Sequence, residues 1–388
     1  MIKIGLVGVG NFAKFLLEIV SEMSEVKIEA LSSRNNENLL KVGQDFKIAK
    51  TYTNYLDMLA DKTINLIWVC TPPSAHLYQV SKALEYGKHV LVEKPSALNV
   101  KDLDKLIAQG KRAGLMVAAN HVMRFNEIYN LVGKLVFTSL LGDIQRIELN
   151  NLASDGGLDA DHWFWDKAQS GGIFIEHSVH FFDIYYRLFG KPKLLSAQTY
   201  TRRNNPQIED RAFSTVEYPN NIYASFFHSF DRPPAQAFAE TKIYSDRGYV
   251  TIEGWSPEKF SLNLMLELNQ IEQLRKILPE DSILAVHEIN HEVLIKSRVL
   301  FNPVLVKCVY ESPKSIREIY KDDVKALLRN LASSINNNLE PETSLERVRD
   351  SLRIAEESAT FAAISMSTLS AKMSYGSRLL EDNNKAHN

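Results

Sequence analysis

The chain has 388 residues, a formal net charge of -2 at pH 7 and two cysteines, Cys70 and Cys308. The length predicts two domains, each large enough to bury a core. The near-zero charge gives no electrostatic case for a nucleic acid or an anionic membrane as partner, and no apolar run is long enough for a membrane span. We therefore expect a small-molecule ligand and a cytoplasmic, disulfide-free protein.

The N-terminus has the pattern of a strand, a glycine turn and a helix. Residues 2–7 are apolar, two glycines follow, and apolar residues then recur at helical spacing. The strand begins so early that no secretory signal is expected. The first glycine permits a tight turn, and the second lets the backbone approach a pyrophosphate at the helix N-terminus. The residues predicted to contact this pyrophosphate are Gly8, Gly10, Asn11 and Phe12.

The residues after the second predicted strand favour NADP over NAD. Residues 26–31 have a strand pattern and are followed by Ser32, Ser33 and Arg34. A free ribose 2′-hydroxyl is usually bound by an acidic residue at this point, whereas hydroxyl groups and a guanidinium suit a 2′-phosphate. We therefore predict NADP as the preferred cofactor, held by Ser33 and Arg34. The alternative is that Arg34 is a solvated surface charge and that other groups hold the ribose.

Three further strands are predicted at residues 64–69, 89–92 and 115–119, with helical patterns between them. This alternation indicates parallel strands joined by right-handed crossovers, and ligands bind at the carboxyl ends of such strands. The apolar run that ends at residue 92 stops abruptly at a carboxylate and an amine, so we expect Lys94 to lie at a crevice. The residues placed near the cofactor on these grounds are Thr71, Pro72, His76, Glu93 and Lys94.

The ordered motifs resemble the Gfo/Idh/MocA oxidoreductases, a family that includes glucose-fructose oxidoreductase and inositol dehydrogenase. The resemblance spans nearly the whole chain and is poorest between residues 254 and 320. The motifs that carry it are Gly8-Val9-Gly10, Thr71-Pro72-Pro73 with His76, Glu93-Lys94-Pro95, Asn120-His121-Val122-Met123-Arg124-Phe125, Gly171-Gly172 with Glu176, His180 and Asp183, and Pro341-Glu342-Thr343-Ser344.

The resemblance implies a fold and an activity. The expected fold class is α/β, with an N-terminal Rossmann dinucleotide-binding domain at residues 1–122 and a C-terminal α/β domain at residues 123–388 whose large open sheet is mostly antiparallel. A helix at residues 345–370 is expected to pack back towards the Rossmann domain. Members of the family typically move a hydride between a sugar or polyol carbon and a bound nicotinamide. By the same resemblance, Asn120 is assigned to the cofactor and Arg124 to the substrate.

A single helix is predicted over residues 173–190. It carries Glu176, His180 and Asp183 at i, i+4 and i+7, which places them on one face. Hydride transfer needs a group that takes the hydroxyl proton, and histidine titrates near neutrality. We assign His180 as the general acid/base, Lys94 as the group that polarises the reacting oxygen, and Glu176 as the residue that orients them. Whether Lys94 or His180 holds the moving proton is open, and a structural ion pair is the competing interpretation.

An aromatic stretch before this helix completes the predicted substrate pocket. Residues 161–167 combine three aromatic side chains with polar groups, which suits a sugar ring, although buried loop anchors have the same pattern. The predicted substrate contacts are Lys94, Arg124, Trp165, Glu176, His180 and Asp183.

Short alternating runs predict an antiparallel sheet after residue 190, at residues 194–200, 212–218, 222–230, 238–244 and 249–253. One face of this sheet is expected to carry Phe226, Phe227 and Phe230 and to need cover. A second subunit is the simplest cover, so we predict a homodimer or homotetramer formed through this sheet. Core packing within the chain is the competing explanation.

The sequence therefore predicts an NADP-preferring, metal-independent oxidoreductase that acts on a sugar, a cyclitol or a related hydroxylated small molecule. Residues 255–319 hold no interpretable motif, and His287, His291 and Glu292 within them lack clear metal-ligand geometry. One alternative is a glycosidase in which bound NAD transiently oxidises the sugar and is regenerated. Another is a non-catalytic ligand sensor, which would not need both Lys94 and His180.

Overall fold

The first part of the chain folds as alternating strands and helices. The computed structural model describes residues 1–289, 293–295, 298–300 and 302–385. The strands of the first part are β1 (Ile2–Val7), β2 (Val26–Ser32), β3 (Lys50–Tyr52), β4 (Leu66–Val69), β5 (His89–Val92) and β6 (Val117–Ala119). Its helices are α1 (Asn11–Ser21), α2 (Asn36–Asp45), α3 (Tyr55–Ala60), α4 (His76–Glu85) and α5 (Val100–Ala113).

These strands form one parallel sheet in the order β3-β2-β1-β4-β5-β6. Every residue of β4 is buried, as expected for a parallel strand covered on both faces. The strand order reverses between β1 and β4, and doubly wound sheets bind ligands at the carboxyl ends of the strands beside such a reversal. The Rossmann part of the predicted fold class is therefore confirmed.

The second part of the chain is built around a larger sheet. Its strands are β7 (Ile144–Leu152), β8 (Lys193–Arg202), β9 (Asn205–Tyr218), β10 (Ile222–Ser229), β11 (Phe238–Ser245), β12 (Gly248–Glu253), β13 (Lys259–Glu267), β14 (Ile283–Glu288), β15 (Val293–Ile295), β16 (Arg298–Leu300) and β17 (Pro303–Glu311). Its helices are α6 (Glu127–Phe137), α7 (Lys167–Ser170), α8 (Val179–Phe189), α9 (Ile271–Arg275), α10 (Ile316–Asn337) and α11 (Leu345–Lys385).

Nine of these strands form the sheet β14-β17-β13-β12-β11-β7-β10-β9-β8, and β15 pairs with β16 separately. All neighbours in the nine-stranded sheet are antiparallel except β7 and β10. The mostly antiparallel C-terminal sheet is therefore confirmed. Strand β7, which lies inside the sheet, is not predicted by the sequence pattern, because only Ile147 and Leu149 alternate clearly with polar residues in it.

The last two helices return the chain to the parallel sheet. Apolar residues of α10, among them Val324 and Leu328, are buried in one cluster with residues of α1. Helix α11 begins with an ion pair to α5, in which Arg349 Nε lies 2.6 Å from Asp104 Oδ1. Exposed ion pairs contribute little, so the buried apolar contacts supply most of the stabilisation that holds the two parts together.

The face of the nine-stranded sheet that packs on α8 is covered within the chain. The ring of Phe226 lies 5.1 Å from Phe182 of α8, and Phe230 lies 5.1 Å from Phe164. The prediction that Phe226 and Phe230 share an uncovered face is therefore wrong, because both take part in core packing. Phe227 lies on the opposite face, where it is half-buried opposite Phe213.

None of the described helices combines the length and the hydropathy that a bilayer span requires. Within the described part of the chain, no three His, Cys, Asp or Glu side chains are arranged to hold a metal ion. Two of the residues considered above, His291 and Glu292, lie outside the described residues.

Candidate active site

A cavity of about 1340 Å³ lies between the carboxyl ends of the parallel strands and the second part of the chain. One end, here called the glycine end, is lined by Gly8, Gly10, Asn11, Phe12, Ser33 and Arg34. The other end, here called the histidine end, is lined by Lys94, Glu176, His177, His180, Trp255 and Tyr320. The size and the polar groups at both ends are those of a site for a large ligand or for two ligands side by side.

The two glycines of the turn differ in their surroundings. Gly8 has φ +94°, and a Cβ built on it would lie 2.7 Å from the carbonyl oxygen of Cys70, so the turn needs glycine there. A Cβ on Gly10 would meet nothing within 4 Å, which leaves the backbone accessible from the cavity. Gly10 also begins α1 without a side-chain cap, so the first N–H groups of this helix are free for an anion. This geometry fits a pyrophosphate.

Strand β2 is followed by hydroxyl and guanidinium groups that line the cavity. Ser33 and Arg34 line the cavity, together with Asn35, Thr53 and Asn54. Arg34 is exposed and has no ion-pair partner among the described residues. The lining at this point contains hydroxyl, amide and guanidinium groups and no carboxylate.

Glu93 and Asn120 lie side by side just beyond the ends of β5 and β6. Trp68 Nε1 donates to Glu93 Oε1 at 3.1 Å, and Asn120 Nδ2 donates to the same oxygen at 2.9 Å. Burial raises the pKa of Glu93 to about 7 although these donors act against it. Asn120 Oδ1 is buried without a hydrogen-bond partner among the described residues. A buried, unused acceptor at a cavity fits a ligand that donates an N–H, such as a carboxamide.

Lys94 and Glu176 form the central contact of the histidine end. Lys94 Nζ donates to Glu176 Oε1 at 2.5 Å and to the Glu176 backbone oxygen at 2.8 Å. The peptide bond between Lys94 and Pro95 is cis. Residues Phe174–Ser178 form a π-helical turn ahead of α8, and such turns leave a carbonyl outside the α-helical hydrogen-bond pattern, often at functional sites.

Two glycines and a carboxylate set the start of this turn. Gly171 and Gly172 have φ +86° and +84°, and a Cβ on Gly172 would lie 3.0 Å from Glu209 Oε1. The Ile173 N–H donates to that same oxygen at 3.2 Å, while Lys167 pairs with Glu209 Oε2 at 2.5 Å. Glu209 of β9 therefore caps the helical segment that carries Glu176 and the histidines.

His180 is buried beside Lys94 in a group of rings. Its ring centroid lies 5.3 Å from Trp255 and 6.2 Å from both His121 and His177. Burial, followed by the positive charge of Lys94, lowers the pKa of His180 well below its ordinary value. The ring is therefore neutral near pH 7, and its Nδ1 has no partner among the described residues.

His76 is a predicted cofactor contact that does not reach the cavity. It is completely buried, with Nδ1 2.8 Å from the Pro95 oxygen and Nε2 2.7 Å from the Thr71 oxygen. Because His76 stands at the start of α4 with its ring in the interior, the ring links the backbone oxygens of Pro95 and Thr71 and does not line the cavity. Thr71 and Pro72 themselves do line the cavity.

Arg124 and Asp183 are predicted substrate contacts that the structure places in the interior. Arg124 Nε and NH2 donate to the two oxygens of Asp183, each at 2.7 Å. Arg124 NH1 and NH2 also donate to the backbone oxygens of Glu342 and Arg347. Asp183 does not line the cavity beside Glu176, because the predicted common face requires an α-helix throughout, whereas Glu176 lies in a π-helical turn.

Trp165 is also absent from the cavity wall, because it is buried against Phe164, Phe230 and Arg202. Its neighbours His162, Trp163 and Phe164 line the cavity instead. The aromatic stretch thus reaches the cavity, but a loop has no periodicity that predicts which ring faces it.

Trp255 and Tyr320 line the cavity, although the sequence pattern predicted neither of them as a site residue. Their rings stack at 5.8 Å with an interplanar angle of 26°, and Tyr320 lies 6.4 Å from Phe12. They therefore connect the histidine end with the glycine end. Trp255 follows a glycine at the end of a predicted strand, which is the one signal in the sequence that could have indicated it.

Two family models match the chain. Residues 2–121 match the model described as "Oxidoreductase family, NAD-binding Rossmann fold", and residues 129–251 match the "GFO/IDH/MocA C-terminal domain". Together the two models cover more than half of the chain.

Curated relatives match over part of their length. The chain is 28% identical over 232 residues to 2,7-anhydro-N-acetylneuraminate hydratase of Escherichia coli, a match that covers 58% of this chain and 61% of that protein. It is 26% identical over 221 residues to an NADP(+)-linked scyllo-inositol 2-dehydrogenase of Bacillus subtilis, covering 56% and 60%. The matched region thus spans about three fifths of these relatives.

Solved structures match over nearly the whole chain. A levoglucosan dehydrogenase in complex with NADH and levoglucosan superposes with TM-score 0.74 at 14% identity, covering 93% of this chain and 97% of that one. An aldose-aldose oxidoreductase from Caulobacter crescentus gives TM-score 0.72 at 19% identity, covering 94% and 98%. At such identities the likeness shows the fold.

Proposed function

Because the chain belongs to the Gfo/Idh/MocA oxidoreductase family, we propose that it transfers a hydride between a nicotinamide cofactor and a hydroxylated carbon of a sugar, a cyclitol or a related small molecule. The observation that carries this proposal is the meeting of Lys94, Glu176 and His180 at the end of a cavity whose other end fits a dinucleotide. A bound nicotinamide would supply the hydride acceptor or donor.

The chain's own residues would handle the proton. Lys94 has three N–H donors, and Glu176 uses two of them, so one remains to bind the reacting oxygen. The lowered pKa of His180 keeps its ring unprotonated near pH 7, which is the form that accepts a proton from a hydroxyl. We assign His180 as the general base and Lys94 as the group that stabilises the developing alkoxide. Glu176 holds the amine in place.

The residues of the glycine end support NADP as the preferred cofactor. An exposed, unpaired guanidinium at Arg34 and the hydroxyl of Ser33 suit a 2′-phosphate, and the lining offers no carboxylate to a free ribose hydroxyl there. Glu93 and Asn120, with its unused Oδ1, would hold the nicotinamide half.

A substrate screen tests the proposal. Sugars, polyols and their oxidised forms are incubated with NADP or NAD, and the absorbance of the reduced nicotinamide is followed together with substrate consumption. The proposal predicts that reduced cofactor and product form in equal amounts. Consumption of a glycoside without net change in free nicotinamide would instead indicate the glycosidase, and binding without conversion would indicate the sensor.

We also propose that the chain forms a homodimer or homotetramer through the outer face of the nine-stranded sheet. The face opposite α8 exposes four aromatic side chains, namely Tyr200, Tyr223, Phe238 and Tyr249. Exposed aromatic side chains are typical of subunit contacts. Native mass spectrometry that gives only monomer at micromolar concentration would refute this proposal.

The cytoplasm is the compartment we propose, since Cys70 and Cys308 are both free thiols.

A further inference from the structure

The charges of the histidine end restrict what can bind there. Among the described residues that line this end, Lys94 is the one lysine or arginine, and its amine already pairs with Glu176 at 2.5 Å. Arg34, the other such residue of the lining, stands at the glycine end. An anionic group placed beside His180 would therefore find no unpaired cation, and it would approach the carboxylate of Glu176.

The loop over this end adds negative charge. Residues 153–166 contain Asp155, Asp159, Asp161 and Asp166 and no lysine or arginine. Asp155 is paired with Arg202, whereas the other three carboxylates are exposed. This loop also supplies cavity-lining residues, among them Trp163 and Phe164, so its negative charge lies near the cavity and disfavours an approaching anion. Lys167, which follows the loop, is paired with Glu209.

The remaining wall is aromatic. Trp163 and Phe164 line the cavity from this loop, and Trp255, stacked on Tyr320, lines it from the end of β12. Aromatic faces beside a few polar groups suit the apolar C–H face of a polyhydroxylated ring. Carboxylates and phosphates, in contrast, are usually bound by arginine or lysine in a matching geometry.

We propose that the histidine end takes an uncharged polyhydroxylated ring, a neutral sugar or cyclitol, and rejects sugar acids and sugar phosphates. This inference rests on the proposed oxidoreductase function and names its substrate class. The rejected classes differ from the accepted one by an anionic group that this end cannot pair.

Matched substrates test the proposal with the full-length protein and NADP. Glucose is compared with glucuronate and glucose phosphate, and myo-inositol with its phosphate, by the rate of cofactor reduction. We expect kcat/KM to be higher by about 100-fold or more for the uncharged member of each pair, since a buried unpaired charge is rejected strongly. A charged member that turns over as well as its neutral partner, or better, would overturn the proposal.

A variant that adds a positive charge to the cavity tests the same proposal. Gln169 lines the cavity, and its Nε2 donates to Asp166 at 2.9 Å. The measured quantity is kcat/KM for glucuronate divided by kcat/KM for glucose. In Gln169→Arg this ratio should be about 10-fold higher than in the control variant Gln169→Leu. The control loses the same hydrogen bond without adding charge. An unchanged ratio would contradict the proposal. If no compound of the panel turns over, the proposed function itself fails, and this inference fails with it.

Discussion

Two ion pairs connect residues that follow strands β5 and β6 with the helical segment that precedes and includes α8, and the two pairs differ in their surroundings. Lys94 meets Glu176 at the cavity, where their side chains are 17% and 8% exposed. Arg124 meets Asp183 in the interior, where the exposures are 3% and 1%. In sequence both pairs looked like site residues, because Glu176 and Asp183 stand seven positions apart on one predicted helix.

The difference lies in unused hydrogen-bonding capacity. Arg124 donates twice to Asp183 and again to two backbone carbonyls, so its guanidinium has fixed protein partners on several sides. Lys94 keeps one donor and faces open space. A saturated buried pair holds a fold together, whereas an unsaturated pair at a cavity can act on a ligand.

The largest expected effect is on turnover. Lys94→Met should lower kcat about 1000-fold, because it removes the donor to the reacting oxygen, and should leave the protein folded. Lys88→Met is the control, since Lys88 is a buried lysine that donates to the carbonyls of Asp61 and Ile64 away from the cavity. Steady-state rates should stay near wild type in the control. A Lys94→Met enzyme within a few fold of wild type would refute the assigned role.

The next effect is on stability. Arg124→Met should lower the free energy of unfolding by about 3–5 kcal/mol, because it leaves the Asp183 carboxylate in the interior without its two guanidinium hydrogen bonds. Denaturant unfolding measures the loss, and the double variant with Asp183→Leu should recover part of it. A loss below about 1 kcal/mol would mean that the pair is not structural.

A third prediction concerns pH. The pKa of Glu93 is raised from 4.5 to about 7, so the folded state holds this proton more tightly than the unfolded state. The resulting stability is present below pH 4.5 and is lost as pH rises through 7, a change of about 3 kcal/mol. Glu93→Gln should make the free energy of unfolding vary less with pH between 4.5 and 7.

Asp323 offers a matched buried carboxyl that does not line the cavity. Burial raises its pKa from 3.8 to about 7, and Asn126 Nδ2 donates to it at 3.2 Å. Asp323→Asn should flatten the pH dependence in the same way as Glu93→Gln but leave cofactor affinity unchanged. If neither variant alters how the free energy of unfolding changes between pH 4.5 and 7, burial does not control the pKa of these two carboxyls.

The smallest expected effect concerns cofactor choice. Arg34→Ala should raise the KM for NADP about 10-fold and leave the KM for NAD unchanged, because the guanidinium would contact only the 2′-phosphate. Tighter binding of NAD than of NADP by the wild-type protein, in a fluorescence titration, would refute the preference.

The sequence was most informative where chain geometry is strict. A tight turn between a strand and a helix requires Gly8, and strand ends in a parallel sheet meet at one edge, so the placement of Thr71, Glu93 and Lys94 around one cavity followed from pattern alone. The antiparallel strands after residue 190 were found because side chains alternate in and out with a period of two.

The parts of the site that the sequence pattern did not predict depend on long-range packing. Whether Asp183 faces a cavity or Arg124 is decided by a π-helical turn that no local signal marks. Trp165 and Trp163 are two positions apart in a loop, and only the surrounding core determines which one is buried. Trp255 and Tyr320 are 65 positions apart and meet because α10 returns to α1.

The most direct test replaces the two carboxylates of the helical segment by their amides and measures activity and stability side by side. Glu176→Gln should lower kcat about 100-fold and change the free energy of unfolding by less than about 2 kcal/mol, since its partner amine remains at the cavity. Asp183→Asn should lower the free energy of unfolding by about 3 kcal/mol or more and leave kcat of the folded enzyme within a few fold of wild type. The reverse pattern, with activity lost at Asp183 and stability lost at Glu176, would contradict the account.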